Sequence, residues 1–119
     1  MLFKDRRQLG FWGENIAKNY LENKGVKIIE QNIRLGHKEI DLIGRQNNLL
    51  IFFEVKSKQE KNIAGDELIR KKQYNNLLIA IQRYCSLKNW PLEATRLDLI
   101  LITVLKEQKI TIVHYKNIN

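Results

Sequence analysis

Lys38-Glu-Ile-Asp-Leu-Ile43 and Leu50-Ile-Phe-Phe-Glu-Val-Lys56 are the two stretches on which the reading of this chain turns. Side chains two apart on a β-strand share a face, so Glu39 groups with Asp41 and Glu54 with Lys56. In the second stretch Leu50 and Phe52 precede Glu54 and Lys56 on one face, while Ile51, Phe53 and Val55 fill the other. Such a strand is apolar on both sides and turns ionic at one end. Buried carboxylates are costly unless they are paired or hold a cation, so three of them beside one lysine point to a divalent-metal site.

The stretch Gly44-Arg-Gln-Asn-Asn48 between the two runs carries turn residues, which predicts an antiparallel hairpin and brings Asp41 near Glu54. Upstream, Leu9, Trp12, Ile16, Ala17 and Tyr20 recur at helical spacing and Gly25 supplies a stop, predicting a helix over Arg6 to Lys24. Gly10 and Gly13 each weaken that helix by up to about 1 kcal/mol relative to alanine, so both are expected to mark a close approach. Glu14 then lies at the edge of the apolar stripe, between small residues. A strand follows through Ile28, Ile29 and Ile33, and Gly36 breaks it.

Downstream, the polar segment from Gln59 to Gly65 reads as a surface loop, and Asp66 can cap a second helix reaching about Leu87. Leu77, Leu78, Ile81, Tyr84 and Cys85 form its apolar face, and its first turns carry Arg70, Lys71, Lys72 and Gln73. Pro91 punctuates a connection. Leu97 to Leu105 and Ile110 to His114 read as two final strands. The expected fold class is α/β, with elements in the order αβββαββ.

At 119 residues the chain is expected to form one domain, 1–119, with a single core. Its 21 Lys and Arg against 13 Asp and Glu leave a formal +8, which favours polyanionic partners, nucleic acid first. One cysteine, Cys85, permits neither an internal disulfide nor a CxxC motif, as expected of a reducing, cytoplasmic setting. No apolar run approaches membrane-spanning length, so no membrane partner is expected. Serine-nucleophile, P-loop and dinucleotide motifs are missing.

An acidic residue, a spacer and a lysine arise about once by chance in a chain of this size, so context has to carry the inference. Here the triplet ends an apolar strand and Asp41 precedes it in a hairpin. Phosphodiester hydrolysis gives each part a task. Asp41 and Glu54 would hold Mg²⁺ or Mn²⁺, and Lys56 would orient water and stabilise charge on the phosphate. Glu39 could hold a second cation, pair with a site lysine, or support the site through hydrogen bonds.

Gly13-Glu14 with Ala17, Glu-Ile-Asp-Leu-Ile at 39 to 43, Phe-Glu-Val-Lys at 53 to 56, Lys72-Gln73 and Arg-Leu-Asp at 96 to 98 together resemble the small bacterial YraN-like family of predicted endonucleases. That family is placed in the restriction-endonuclease-like PD-(D/E)XK superfamily, and the motif order is also similar to archaeal Holliday junction resolvases. The resemblance implies a mixed central sheet flanked by helices, with Asp41, Glu54 and Lys56 as active-site positions and Glu14 as the helix carboxylate. It adds Gln73 as a site-facing polar residue. It further implies DNA as substrate, branched or structured in the resolvase case, where two symmetric cuts would call for a homodimer. The chain departs from the family pattern in having Lys38 where glycine usually precedes Glu-Ile-Asp, and from the superfamily's name in lacking a proline before the aspartate.

The rival reading is a non-catalytic nucleic-acid-binding module that keeps the acidic-lysine cluster for folding. It shares the basic charge, with Arg70, Lys71 and Lys72 as the expected phosphate contacts and Tyr74 beside them. Asp98 beside Arg96 reads as a structural ion pair or a sheet-edge residue. His37 and His114 lack metal-ligand spacing and read as surface or strand-end residues. Trp12 and Tyr20 fit the core.

Overall fold

The apolar stripe of the first helix falls at four-residue spacing: Leu9, Gly13, Ala17 and Leu21 are its buried positions. That helix, α1 (Arg6–Asn23), is opened by Asp5, whose carboxylate accepts a hydrogen bond from the Gln8 backbone N–H at 2.8 Å. It ends ahead of Gly25, which takes φ +88°. The computed structural model describes residues 3–60 and 71–119. Asp66, Arg70 and the part of the expected loop after residue 60 lie outside the described residues.

The strands follow as β1 (Lys27–Leu35), β2 (Lys38–Gln46) and β3 (Leu49–Gln59), then helix α2 (Lys71–Lys88), β4 (Thr95–Val104) and β5 (Ile110–Tyr115). The αβββαββ order is the one expected. Gln59, expected in a loop, instead ends β3, because the parallel ladder with β4 continues as far as Gln59 opposite Val104.

One five-stranded sheet runs in the order β1-β2-β3-β4-β5. It is mixed: β3 pairs parallel with β4, and the other three pairings are antiparallel. A tight turn suffices for the β2–β3 hairpin, where Gln46 faces Leu49 across Asn47 and Asn48 and Asn47 takes φ +57°. A parallel pair needs a crossover, and α2 lies within it.

The helices cover opposite faces. Against α2, through Leu77, Ala80, Ile81 and Tyr84, pack Ile40, Ile43, Leu50, Phe52 and Leu97. Against α1, through Ala17 and Leu21, pack Leu42, Ile51, Phe53, Ile100 and Ile102. Central β3 therefore buries both faces, and Leu50 to Phe53 are at most 2% exposed. Truncating a buried phenylalanine to alanine costs about 3–5 kcal/mol, so Phe52 and Phe53 are major supports of the sheet.

Candidate functional site

The β2–β3 ladder runs from Gln46 opposite Leu49 to Leu42 opposite Phe53 and stops there. Beyond that point Asp41 takes over: its Oδ2 accepts a hydrogen bond from the Val55 backbone N–H at 2.8 Å. Side-chain alternation also slips here. Ile40 packs with the α2-side core, Leu42 with the α1-side core and Ile43 with the α2 side again. On β1, Asn32 falls between the partners of Leu42 and Ile40 and takes φ +50°. The slip points the Asp41 carboxylate along the sheet towards β3 instead of into either core.

Glu54 lies one residue past the last ladder pair, after Leu50 and Phe52 on the α2 side, and is buried. Its carboxylate neighbours that of Asp41 closely enough for the two to raise each other's cost of ionising. Burial pushes the Asp41 carboxyl up to about 8. The neighbouring charges of Glu54 and then Glu14 push the same way, against the lowering effect of the Val55 N–H. Glu14, on α1, is raised by its own burial, held back by a hydrogen bond from the Asn32 side chain, and raised further by Glu39 and Glu54. Glu14, Asp41 and Glu54 thus share one electrostatic environment at the end of the hairpin.

Helix α1 reaches this point because of Gly13. A Cβ there would overlap the Ser57 hydroxyl of β3, so any larger residue would lift the helix and carry Glu14 away. Gly10 does not share that role, contrary to expectation, since a Cβ on it would meet open space.

Lys56 follows Glu54 on the same face, and its Nζ donates to Gln73 Oε1 of α2 at 3.5 Å. Gln73 thereby orients the lysine from across the face. Lys71 and Lys72 are exposed at the start of the described part of α2. Glu39 is exposed and acts on the cluster through its charge on Glu14.

Sequence reasoning missed Lys38 as a member of the site. Its Nζ donates to Glu54 Oε2 at 3.3 Å in a partly buried ion pair. The available signal was a cation at the start of the strand, two residues before Ile40 and on its face. It also missed Asn32, a polar residue in an otherwise ordinary edge strand. The other oxygen of Glu54, Oε1, is buried with no hydrogen-bond partner. Among the described residues, no three His, Cys, Asp or Glu side chains stand together as a ready-made cation cage. Mg²⁺ does not require one, since it is commonly held by one or two carboxylates, with water and phosphate oxygens completing the shell. An orphaned buried carboxylate oxygen beside a second, crowded carboxylate suits such an ion.

A second buried acid lies on the neighbouring strand. Asp98 is 0% exposed, and its oxygens accept from Arg96 Nε and Nη2 at 2.8 and 2.9 Å and from the Asn117 backbone N–H at 2.9 Å. His114 Nε2 lies 2.8 Å from it. The structural ion pair expected for Asp98 is present. His114 differs from expectation: although on the edge strand β5, it turns inward to Asp98 and sits 3.3 Å from the Tyr20 hydroxyl. His37 is exposed. Burial raises the pKa of the Cys85 thiol, which keeps it out of thiolate chemistry. No helix among the described residues is long and apolar enough to cross a membrane.

The family profile described as "Uncharacterised protein family UPF0102" matches residues 13–102. A UPF0102 protein of Syntrophomonas wolfei is 32% identical over 102 residues, spanning 85% of this chain and 87% of its own. One from Lawsonia intracellularis is also 32% identical, over 113 residues, spanning 93% of this chain and 84% of its own. Among solved structures, Pyrococcus furiosus SfsA in complex with Ca²⁺ aligns at TM-score 0.45 and 14% identity, over 94% of this chain and 64% of that one. A repair endonuclease from Pyrococcus abyssi aligns at TM-score 0.43 and 15% identity, over 91% of this chain and 42% of that one.

Proposed function

Starting from a chain that belongs to the UPF0102 family, we propose that the protein is a Mg²⁺- or Mn²⁺-dependent nuclease hydrolysing DNA phosphodiester bonds. The observation that carries this reading is the pair Asp41 and Glu54: two neighbouring carboxylates at a ladder end, one of them with a buried oxygen that has no partner. Asp41 and Glu54 would hold the cation. When bound, it would supply Lewis-acid polarisation of the phosphoryl oxygen and ease deprotonation of a water.

The chain's own residues supply the rest. Asp41 is aimed by the Val55 N–H, and Glu14 adds a third negative charge that draws a cation inward. Lys56, oriented by Gln73, would stabilise charge developing on the phosphate. A formal +8, with Lys71 and Lys72 exposed on α2, would hold the DNA backbone through phosphate contacts. Branched or structured DNA and a homodimer are the substrate form and assembly to try first, because paired symmetric cuts need two sites.

One observation favours the non-catalytic binding module instead: Lys38 already offsets part of the Glu54 charge without a metal. Calorimetric titration with Mn²⁺, followed by cleavage assays on duplex, single-stranded and four-way DNA, separates the two. A nuclease binds Mn²⁺ through Asp41 and Glu54 and cuts at least one of these forms. Protein free of host nucleases that binds DNA but neither takes up Mn²⁺ nor cuts any form is a binding module.

A further inference from the structure

We infer that Lys38 is a tethered counter-ion of this site, a positioning residue that occupies Glu54 when no divalent cation is present and competes with the cation for it. The inference rests on the metal-site reading above but concerns a residue that reading does not use.

Three observations carry it. Lys38 is the first residue of β2 and pairs with Leu35 across the tight Gly36-His37 turn, so its backbone is held by the β1–β2 ladder. Its Cβ shares the face of Ile40, which packs on the α2 side with Leu50 and Phe52, the side on which Glu54 also projects. The ammonium then meets Glu54 Oε2 at 3.3 Å, its one partner among the described residues. Lys38 is 21% exposed at its side chain and Glu54 8%, so the pair is only weakly screened by solvent.

The contact is one-sided. Lys38 takes Oε2 and leaves Oε1 buried without a partner, so it offsets part of the charge without filling the site. A divalent ion bound by Asp41 and Glu54 would put two cations on one carboxylate, and the mobile one, on a flexible four-carbon stem with solvent access, would have to leave. Metal uptake therefore carries the cost of breaking the Lys38 pair. An uncharged residue at this position would carry no such cost.

The test is Mn²⁺ affinity by calorimetry on the full chain without DNA, so that turnover plays no part. Lys38→Met keeps the stem and removes the charge, while Lys38→Arg keeps the charge. Lys38→Met is expected to bind Mn²⁺ about 10-fold more tightly than the parent, equivalent to about 1.4 kcal/mol, with Lys38→Arg close to the parent. Thermal melts in EDTA give a second measurement: Lys38→Met should melt lower than the parent there, and saturating Mn²⁺ should close the gap. Unchanged or weaker Mn²⁺ binding by a folded Lys38→Met protein overturns the inference while leaving the nuclease reading intact. Failure of both the parent and Lys38→Met to bind Mn²⁺ at millimolar concentrations overturns the metal-site reading, and this inference with it.

Discussion

Two buried acids occupy adjacent strands and meet opposite treatment. Asp98 on β4 lies opposite Phe53 on β3, one residue before Glu54. It is surrounded by donors: a two-pronged Arg96, the His114 ring and the Asn117 N–H. Glu54 has a single lysine on one oxygen, nothing on the other and a second carboxyl beside it. A satisfied buried charge is a structural element, and here it fastens the segment after β5 back onto the start of β4, where Ile118 N–H also donates to Leu97 O at 2.8 Å. A buried charge left short of partners raises the free energy of the metal-free fold, and that deficit is what a ligand can relieve.

The comparison breaks most visibly in stability. Asp98→Ala leaves the partly buried Arg96 and His114 without their shared, fully buried acceptor, and loss of one partner of a buried pair costs about 3–5 kcal/mol. Glu54→Gln removes a charge from a crowded site and is expected to leave the EDTA-treated protein within about 1 kcal/mol of the parent. Urea melts of both variants in EDTA measure the contrast. Equal losses would mean that the two acids are alike and that the cluster at Glu54 is only structural.

Catalysis sharpens the same contrast. Lys56→Ala should lower DNA cleavage by about 10²–10³-fold while DNA affinity stays within a few fold, because one charge among many phosphate contacts adds little to binding. Single-turnover cleavage and filter binding on the same preparation read both quantities. A variant that cuts as fast as the parent would remove Lys56 from the chemistry.

The pH dependence of the cation-free protein is a smaller effect of defined sign. An aspartate that titrates near its ordinary value when unfolded and at about 8 when folded makes the folded chain hold the extra proton between those values. Stability is then lost as pH rises from about 4 through 8, over the range in which the native site is forced to ionise. Asp41→Asn keeps an oxygen for the Val55 N–H and cannot ionise. In EDTA the parent should therefore lose more in melting temperature between pH 5 and pH 8 than Asp41→Asn, and Mn²⁺ should restore the parent alone. Parallel profiles for the two proteins would refute a crowded, cation-seeking Asp41.

The smallest effect lies away from both acids. Neutralising Lys71 and Lys72 together should reduce the slope of log affinity for DNA against log salt by about 1–2, since each phosphate left without its lysine keeps its counter-ion. An unchanged slope would take this end of α2 out of the DNA footprint.

Much of the architecture was legible because helices and strands write their burial into the chain at different periods. The helical spacing of Leu9, Trp12, Ile16, Ala17 and Tyr20 and the unbroken apolar run Leu50 to Phe53 identify a helix and a strand buried on both sides, although the buried line of the helix runs through Leu9, Gly13, Ala17 and Leu21. The Gly13 contact was likewise visible as a glycine placed where a helix should not want one. Gly10 carries the same signal with no contact behind it, since local sequence does not record what lies across the gap.

By itself the sequence determined the element order, the two apolar layers and the residues able to carry acid, base and charge chemistry, because these depend on local periodicity and side-chain type. Tertiary structure alone decided which of those charges meet. His114 turns inward because β5 pairs with β4 beside Asp98, a contact spanning 16 residues. Lys38 finds Glu54, also 16 residues away, because both lie past the end of the β2–β3 ladder on the α2 side of the sheet. Asp41 reaches β3 because the ladder ends at Leu42 and the alternation slips there, which a strict two-residue period does not anticipate. Charge energies depend on distances of a few ångströms and on exclusion of water, and only the packed chain sets either.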